Sequence, residues 1–567
     1  MQKNKVFGID LGTTYSCVAY VDDFDKASAI KNSEDETTTP SVIYFENEDS
    51  QIVGKEAKNY AVMEPENTVS FIKREMGKDY RRKIYGVEYT PQELSAKILT
   101  KLVKDANASL REQGVLKPEE PDIKKAVITC PAYFGLAEKD ATRAAGEIAG
   151  LEVLDIINEP TAAAIHYGVL NGQENKKVMV YDLGGGTFDV TIIEIQGGNA
   201  ISVVCTGGDP ELGGKDWDTA LVEYLKERWK TEMNTSEDIT DDLETLSSMM
   251  DSAENAKKSL STKEQTPILV NYEGERMKLK LTRDEYDDIT RSLLQKTIDL
   301  TNRCLEAAAQ KRDNPVQLED IDEILLVGGS SRMPQVQKIM EEVYQKPVSL
   351  FDPNEAVAKG AAIYAQKTDL INVITEELAR KTNRKVEDVK AQIDKGADVS
   401  LMAEEASVSL SSMGETGRLT TMRINNVSSR TYGIKVWDPH REKEFISNFI
   451  FQNDPLPRKE TKTFYPTATN QNQVDLELYE STGHDEEIRN LENATQITVF
   501  AMKFVKRVPM STEVVITLRL ENSGLIYVDA EEMKFHSKLN ATYDVKNALS
   551  EEEMDEAKDR ARRATID

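Results

Sequence analysis

Two aspartates carry the first chemical signal in the chain. Asp10 and Asp182 each close a run of β-formers and each is followed by Leu-Gly, within VFGIDLGTTYSCVAYV (residues 6 to 21) and VMVYDLGGGTFDVTII (178 to 193). In both stretches a strand ends on the aspartate, passes through small and hydroxyl residues, and resumes as a second apolar strand, which is a hairpin signature. Gly12, Thr13 and Thr14 in the first, and Gly184, Gly185, Gly186 and Thr187 in the second, have so little bulk that backbone N–H groups can surround phosphate oxygens. A carboxylate beside a polyphosphate is repulsive unless a cation lies between them, typically Mg²⁺ that keeps several waters. The two copies predict a metal nucleotide in a cleft between duplicated lobes, with Asp10 and Asp182 reaching the metal through water.

The elements that must position these groups are also legible. Residues 321 to 327 (IDEILLV) read as a buried strand leading into Gly328, Gly329, Ser330, Ser331 and Arg332, then a helix marked by Val336, Ile339, Met340 and Val343. Strand, glycine turn and helix N-terminus together suit an adenosine and phosphate. A helical pattern over 217 to 262 aligns Glu254, Lys257 and Ser261 on one face, with Ala253, Ala256 and Leu260 toward a core. In IINEPTAAAIHYG (156 to 168) Pro160 suits a first helical turn, Glu159 sits at the positive helix end, and Ala162 to Ile165 can pack closely.

With IDLGTTYS (9 to 16), IKREMG (72 to 77), PAYF (131 to 134), INEPTAAAIHYG (157 to 168), DLGGGTFDV (182 to 190), LGGKDWD (212 to 218) and VGGSSRMP (327 to 334) in order, the chain resembles the 70-kDa heat-shock chaperones from about residue 5 to 367. The resemblance implies an α/β two-lobed actin-like ATPase domain that uses ATP/ADP and Mg²⁺. It makes Lys73 the catalytic lysine, puts Glu159 at the metal's water shell, and has Asp189 and Thr187 place metal waters and nucleophile, beside Asp10 and Asp182. It also implies nucleotide contacts from Tyr15, Gly213, Gly214, Glu254, Lys257, Lys258, Ser261 and Arg332. Lys258 stands where the family often has an arginine stacked on the base, and an ammonium cannot reproduce a planar guanidinium.

Beyond 367 the pattern loosens. The short apolar linker that the resemblance implies is missing, and residues 368 to 420 form a partly helical insert, with Val386, Val389 and Ile393 at helical spacing. From 421 to 536 apolar and polar residues alternate (Val474, Leu476, Leu478; Ile516, Leu518, Leu520), as in strands of an all-β sandwich. The family's peptide cleft would be lined here by Ile434, Phe464, Val474 and Leu476, with Trp437 and Thr467 as the arch over the peptide. Residues 537 to 567 predict one short helix, capped by Ser550 and Glu553, as a vestigial lid.

Against 71 Lys and Arg stand 99 Asp and Glu, a formal charge of −28, which disfavours nucleic acid and anionic membrane as partners. The four cysteines and four histidines are dispersed, so neither a Cys or His metal site nor a catalytic triad is expected. The N-terminus lacks an apolar signal region and no apolar run is long enough to span a bilayer, which predicts a cytoplasmic protein. The resemblance implies a monomer that binds unfolded or extended polypeptides with a dedicated J-domain co-chaperone and a nucleotide exchange factor. Gly135, Leu136 and Asp155 replace residues common at the family's J-domain surface, so generic J-domains should stimulate poorly. A small-molecule kinase and an actin-like filament ATPase are the alternative readings.

Overall fold

The computed structural model describes residues 4–567 except 172–173, 198–199, 312–313, 395–396, 398, 400, 403–421, 523 and 544–548. Lobe I is built on a sheet containing β1 (Phe7–Asp10), β2 (Tyr15–Val21), β3 (Lys125–Cys130) and β4 (Glu152–Asn158), in the order β4-β3-β1-β2, with Ala27–Ala29 and Thr38–Pro40 also paired to β2. Strands β1, β3 and β4 run parallel. Their continuous apolar sequence follows from burial on both faces: Ala126 and Ile128 enter one core, Val127 another. The helices of this lobe include α1 (Lys55–Met63), α2 (Pro91–Glu112), α3 (Leu136–Ile148) and α4 (Glu159–Asn171).

Lobe II repeats the plan with β5 (Lys176–Leu183), β6 (Phe188–Gln196), β7 (Ala200–Asp209), β8 (Glu323–Val327) and β9 (Val348–Leu350), ordered β9-β8-β5-β6-β7. Its helices are α5 (Gly214–Met233), α6 (Leu243–Leu260), α7 (Arg283–Ala309) and α8 (Pro334–Tyr344). Val178 and Val180 face a core shared with Val127 of lobe I, while Met179 and Tyr181 face the lobe's own core. The shared core is closed by α4 and α9 (Ala356–Thr382). Small residues are required there, because a Cβ on Gly360 would stand 1.7 Å from the Ala162 carbonyl oxygen, and one on Gly8 2.0 Å from the Ala362 nitrogen.

Past the lobes the structure redraws the expected boundaries. Helix α9 runs through residue 367 without a break, and Leu370, Ile374 and Leu378 pack with Val389 of α10 (Val386–Asp394), leaving Val386 exposed. Most of the remaining insert, 403–421, lies outside the described residues. Residues Arg423–Asn425 form β10, which pairs parallel with β7 and extends the lobe II sheet. A polar tripeptide thus takes the strand position between the domains that the sequence pattern left empty.

The β domain is two facing sheets of five and four strands around Tyr432, Ile434, Phe449, Leu478, Ile516, Leu518 and Val528. Its last strand is Lys538–Tyr543, so the sandwich continues beyond residue 536. The tail helix α11 (Glu551–Arg563) carries the expected Ser550 and Glu553 capping box. Contrary to the expectation of a vestigial lid, α11 lies on lobe I: Met554 and Ala557 pack against Ala96, Ala144 and Ile148, and Arg560 donates to Glu93 at 2.7 and 2.9 Å. Thr565–Ile566 then joins the lobe I edge strand Ser50–Val53, burying Ile566 in the lobe core.

Candidate functional site

The two hairpins meet tip to tip. Cβ atoms on Gly185 and Gly186 would stand 1.7 Å from the Thr14 hydroxyl and 2.2 Å from the Thr13 methyl, and one on Gly12 would stand 1.9 Å from the Tyr15 carbonyl oxygen. Gly213 and Gly214 complete the cradle, with the Gly214 and Lys215 N–H groups donating to the Gly184 and Gly185 carbonyls at 2.9 and 2.7 Å. Gly328 turns at φ 83°, where a Cβ would meet an Asp182 carboxylate oxygen at 2.4 Å. Each glycine is thus a close approach of backbone to backbone or to a site side chain.

Behind the tips β1, β5 and β6 bring three aspartates together with Glu159 at the start of α4. Asp182 and Asp189 are register partners in adjacent strands, the Thr129 hydroxyl donates to Asp10 at 3.1 Å, and the Ala132 N–H donates to one Asp189 oxygen at 3.1 Å. Lys73, 4% exposed, is the one ammonium among them and is ion-paired with Glu159. Burial first, then the Glu159 charge, pushes Asp10 up to about 7 and raises Asp182 and Asp189 well above the usual carboxylate range. Burial alone would lower Lys73; Glu159 and Asp10 outweigh it and hold the ammonium charged. Four carboxylates against one cation is a cluster short of positive charge. The second Asp189 oxygen and the Thr14 hydroxyl are buried without partners, so the chemistry of the donor set fits a hydrated cation and phosphate oxygens. Among the described residues no group of three or more His, Cys, Asp or Glu is arranged to hold a metal ion directly.

The residues that the resemblance assigns to the nucleotide beyond the tips sort into two groups. Glu254, Lys258 and Tyr15 are joined, Tyr15 accepting from Lys258 at 2.8 Å and donating to Glu254 at 3.2 Å. Although burial opposes it, Lys58 and Lys258 draw Glu254 down to about 2. Lys257 is buried, donating to the Gly214 carbonyl at 2.8 Å and to Asp218 at 2.6 Å, which fixes the start of α5 against α6. Ser261 bonds back to the Lys257 carbonyl. Ser330 is buried beside Gly214, while Gly329 and Arg332 are exposed. A cavity of 430 Å³ opens beside the tips, lined by Thr13, Thr14, Lys58, Phe71, Lys215 and Glu254.

Two residues at the site escaped the sequence reading. Arg74 crosses from lobe I to donate to the Gly186 carbonyl at 2.8 Å and to Asp216 at 2.6 Å, although its sequence context reads as a solvated basic patch. Lys58, on α1, pairs with Glu254 of lobe II at 2.5 Å. No spacing rule links residues so far apart.

In the β domain Ile434 and Leu476 are buried in the sandwich core, Phe464 and Val474 are partly buried beside it, and Trp437 and Thr467 are exposed. The domain rests on the lobes: the Asn453 side chain accepts from the Thr206 N–H at 2.9 Å and donates to its carbonyl at 3.3 Å, and Leu136 of α3 joins the sandwich core. Asp155 is engaged inside the chain, accepting from Tyr364 at 2.8 Å with Arg143 at 3.7 Å. Among the described residues no helix is long and apolar enough to cross a membrane.

The family model described as Hsp70 protein matches residues 6–370 and 402–566. The chain is 35% identical over 561 residues to the "Chaperone protein DnaK" of Thermosipho africanus, covering 98% of this chain and 82% of the relative. It is likewise 35% identical over 562 residues to those of Thermotoga neapolitana and Thermotoga maritima, with the same coverage. With both lobes, both hairpins and the sandwich inside the matched span, the chain belongs to the Hsp70 family and is an ATP-dependent molecular chaperone of the 70-kDa type.

Proposed function

We propose that the interlobe cleft hydrolyses ATP to ADP and phosphate with Mg²⁺, and that the nucleotide state is passed to a sandwich that binds extended polypeptide. The observation that carries the reading is the buried cluster of Asp10, Asp182, Asp189 and Glu159 around one ammonium, set behind two tips with no room for side chains. Mg²⁺, when bound, supplies the positive charge that offsets these carboxylates and the nucleotide's phosphates.

The chain's own groups divide the remaining work. The backbone N–H groups of 13–14 and 185–187 would bind phosphate oxygens, those of Gly12 and Gly184 being donated to the Ser16 hydroxyl and the Thr187 carbonyl, and Asp10 and Asp182 would hold the metal's waters. Lys73, kept charged and immobile by Glu159, stabilises charge on the departing phosphoryl group. The unpartnered Asp189 oxygen and Thr187 orient the attacking water, and that oxygen takes up its proton. Glu254, Lys257, Lys258, Ser261 and Gly328 to Arg332 hold the adenosine. Lys258 is already committed to Glu254 and Tyr15, so the base gains less from it than from a stacked guanidinium. Co-chaperones would be a J-domain protein matched to Asp155 and an exchange factor, and the compartment the cytoplasm. The deciding experiment is the ATPase rate with and without an unfolded polypeptide: Mg²⁺-dependent turnover that rises with polypeptide is expected, and turnover indifferent to both overturns the reading.

A further inference from the structure

Where the sandwich meets lobe I, the strand Gln471–Ser481 points Glu480 at the first residues of α3. A Cβ on Gly135, the N-cap residue of α3, would stand 2.8 and 2.9 Å from the two Glu480 carboxylate oxygens, and the Leu136 N–H is hydrogen-bonded to that carboxylate. Glycine has no side chain to cap the helix, so the acceptor arrives from another domain, at the positive end of the helix dipole.

That favourable arrangement is opposed by a second acid. Glu138, in the first turn of α3, places an oxygen 3.0 Å from the same point, which puts the two carboxylates less than about 6 Å apart, within strong like-charge range. Among the described residues the cation paired with them is Arg430, 3.5 Å from Glu138. One oxygen of Glu138, one of Glu480 and the Arg430 Nε are buried without hydrogen-bond partners. Tyr432 in the sandwich faces both acids, and Tyr543 in its last strand faces Glu480 and the neighbouring Asp140; none of these adds positive charge. Lys139 and Arg143 line the adjoining 370 Å³ interdomain cavity, Arg143 turned to Asp155 and the Val153 carbonyl.

We propose that Glu480 takes up a proton when it is seated beside Glu138 in the docked interface, so that docking of the sandwich on lobe I is strengthened by acid. Two facing acids with one guanidinium leave one uncompensated charge, and the unpartnered Glu480 oxygen is the atom that the proton would occupy. Burial, then the Glu138 charge, pushes Glu480 up to about 7 when docked, against the ordinary carboxylate value when free. The sign follows: the docked state holds the proton between those two values, so docking strengthens as pH falls from 8 to 6 and weakens as it rises. For one group of this kind the docking constant should rise about tenfold over that interval.

The test reads docking and not turnover. Energy transfer is measured between dyes at Phe24→Cys in lobe I and Asp485→Cys in the sandwich, both exposed, across pH 6 to 8.5 in the full chain. The docked fraction should increase toward pH 6, and Glu480→Gln should flatten the dependence while keeping the domains docked at pH 8. Glu138→Gln, which leaves the Leu136 hydrogen bond in place, should flatten it equally. A docked fraction independent of pH in the unmutated chain, or an unchanged slope in both glutamine variants, overturns the proposal.

Discussion

The interlobe cleft and the face where the sandwich docks are both built over buried acids, yet they resolve the charge differently. In the cleft two cations cross from lobe I, Lys58 to Glu254 and Arg74 to Asp216, while Lys73 pairs with Glu159 within lobe I. Even so Asp10, Asp182 and Asp189 are left over, a deficit suited to a metal nucleotide. At the docking face a single guanidinium meets two glutamates, while Leu136, the Asn453 bonds and β10 supply the rest of the contact. A charge deficit that is open to a ligand makes a binding site; one closed off by protein makes a surface sensitive to protons.

The comparison can be broken most sharply at Lys73. Lys73→Ala should lower single-turnover ATP hydrolysis by about 10³-fold or more while ATP binding, followed by calorimetry, stays within a few fold, because the ammonium acts chiefly on transition-state charge. Turnover near that of the unmutated chain would remove Lys73 from the mechanism. Asp182→Asn should raise the Mg²⁺ concentration for half-maximal activity by about tenfold, since one of the two carboxylates proposed to hold the hydrated metal is lost. In the ligand-free protein the same change should stabilise: a raised carboxylate contributes stability that is fully present below its unfolded pKa and is lost as pH rises through the folded one, about 7 for Asp10 and higher than usual for Asp182. Thermal melts should therefore show Mg²⁺ and ADP stabilising the unmutated chain more at pH 8 than at pH 6.

Smaller effects sharpen the other side. Arg560→Ala leaves the buried Glu93 without its guanidinium and should cost about 1–3 kcal/mol of lobe I stability in denaturant unfolding, with the sandwich transition unchanged. A generic J-domain should accelerate ATP hydrolysis by less than about twofold, because Asp155 brings an acid to an ionic interface and is already held by Tyr364 and Arg143. Stimulation of an order of magnitude would show that J-domains dock elsewhere on this chain. Peptide release, followed by anisotropy, should be fast in ADP, because α11 rests on lobe I and not over the sandwich.

What the sequence disclosed was whatever repeats locally. The Asp-Leu-Gly hairpins, the buried β8 strand and the alanines of α4 announce themselves because burial on both faces, tight turns and close helix packing each demand particular residues at fixed spacing. β10 did not, since Arg423, Ile424 and Asn425 have no apolar period and are recruited by the free edge of β7. Thr565 and Ile566 escaped for the same reason, two residues being too few to carry alternation. Arg74, Lys58 and Glu480 are defined by partners more than a hundred residues away or in another domain, where no short-range pattern reaches.

The stitching of the tail into lobe I has a mechanical meaning. The sandwich is suspended from the ATPase body at two points, by β10 on lobe II and by the tail on lobe I, in place of a single tether. Leu549 is packed on lobe I and β10 on lobe II, so a sandwich that leaves its seat stays tied to the ATPase body on both sides and faces its docking surface at high effective concentration. Release and reseating become a rocking motion about two pivots, quick to reverse.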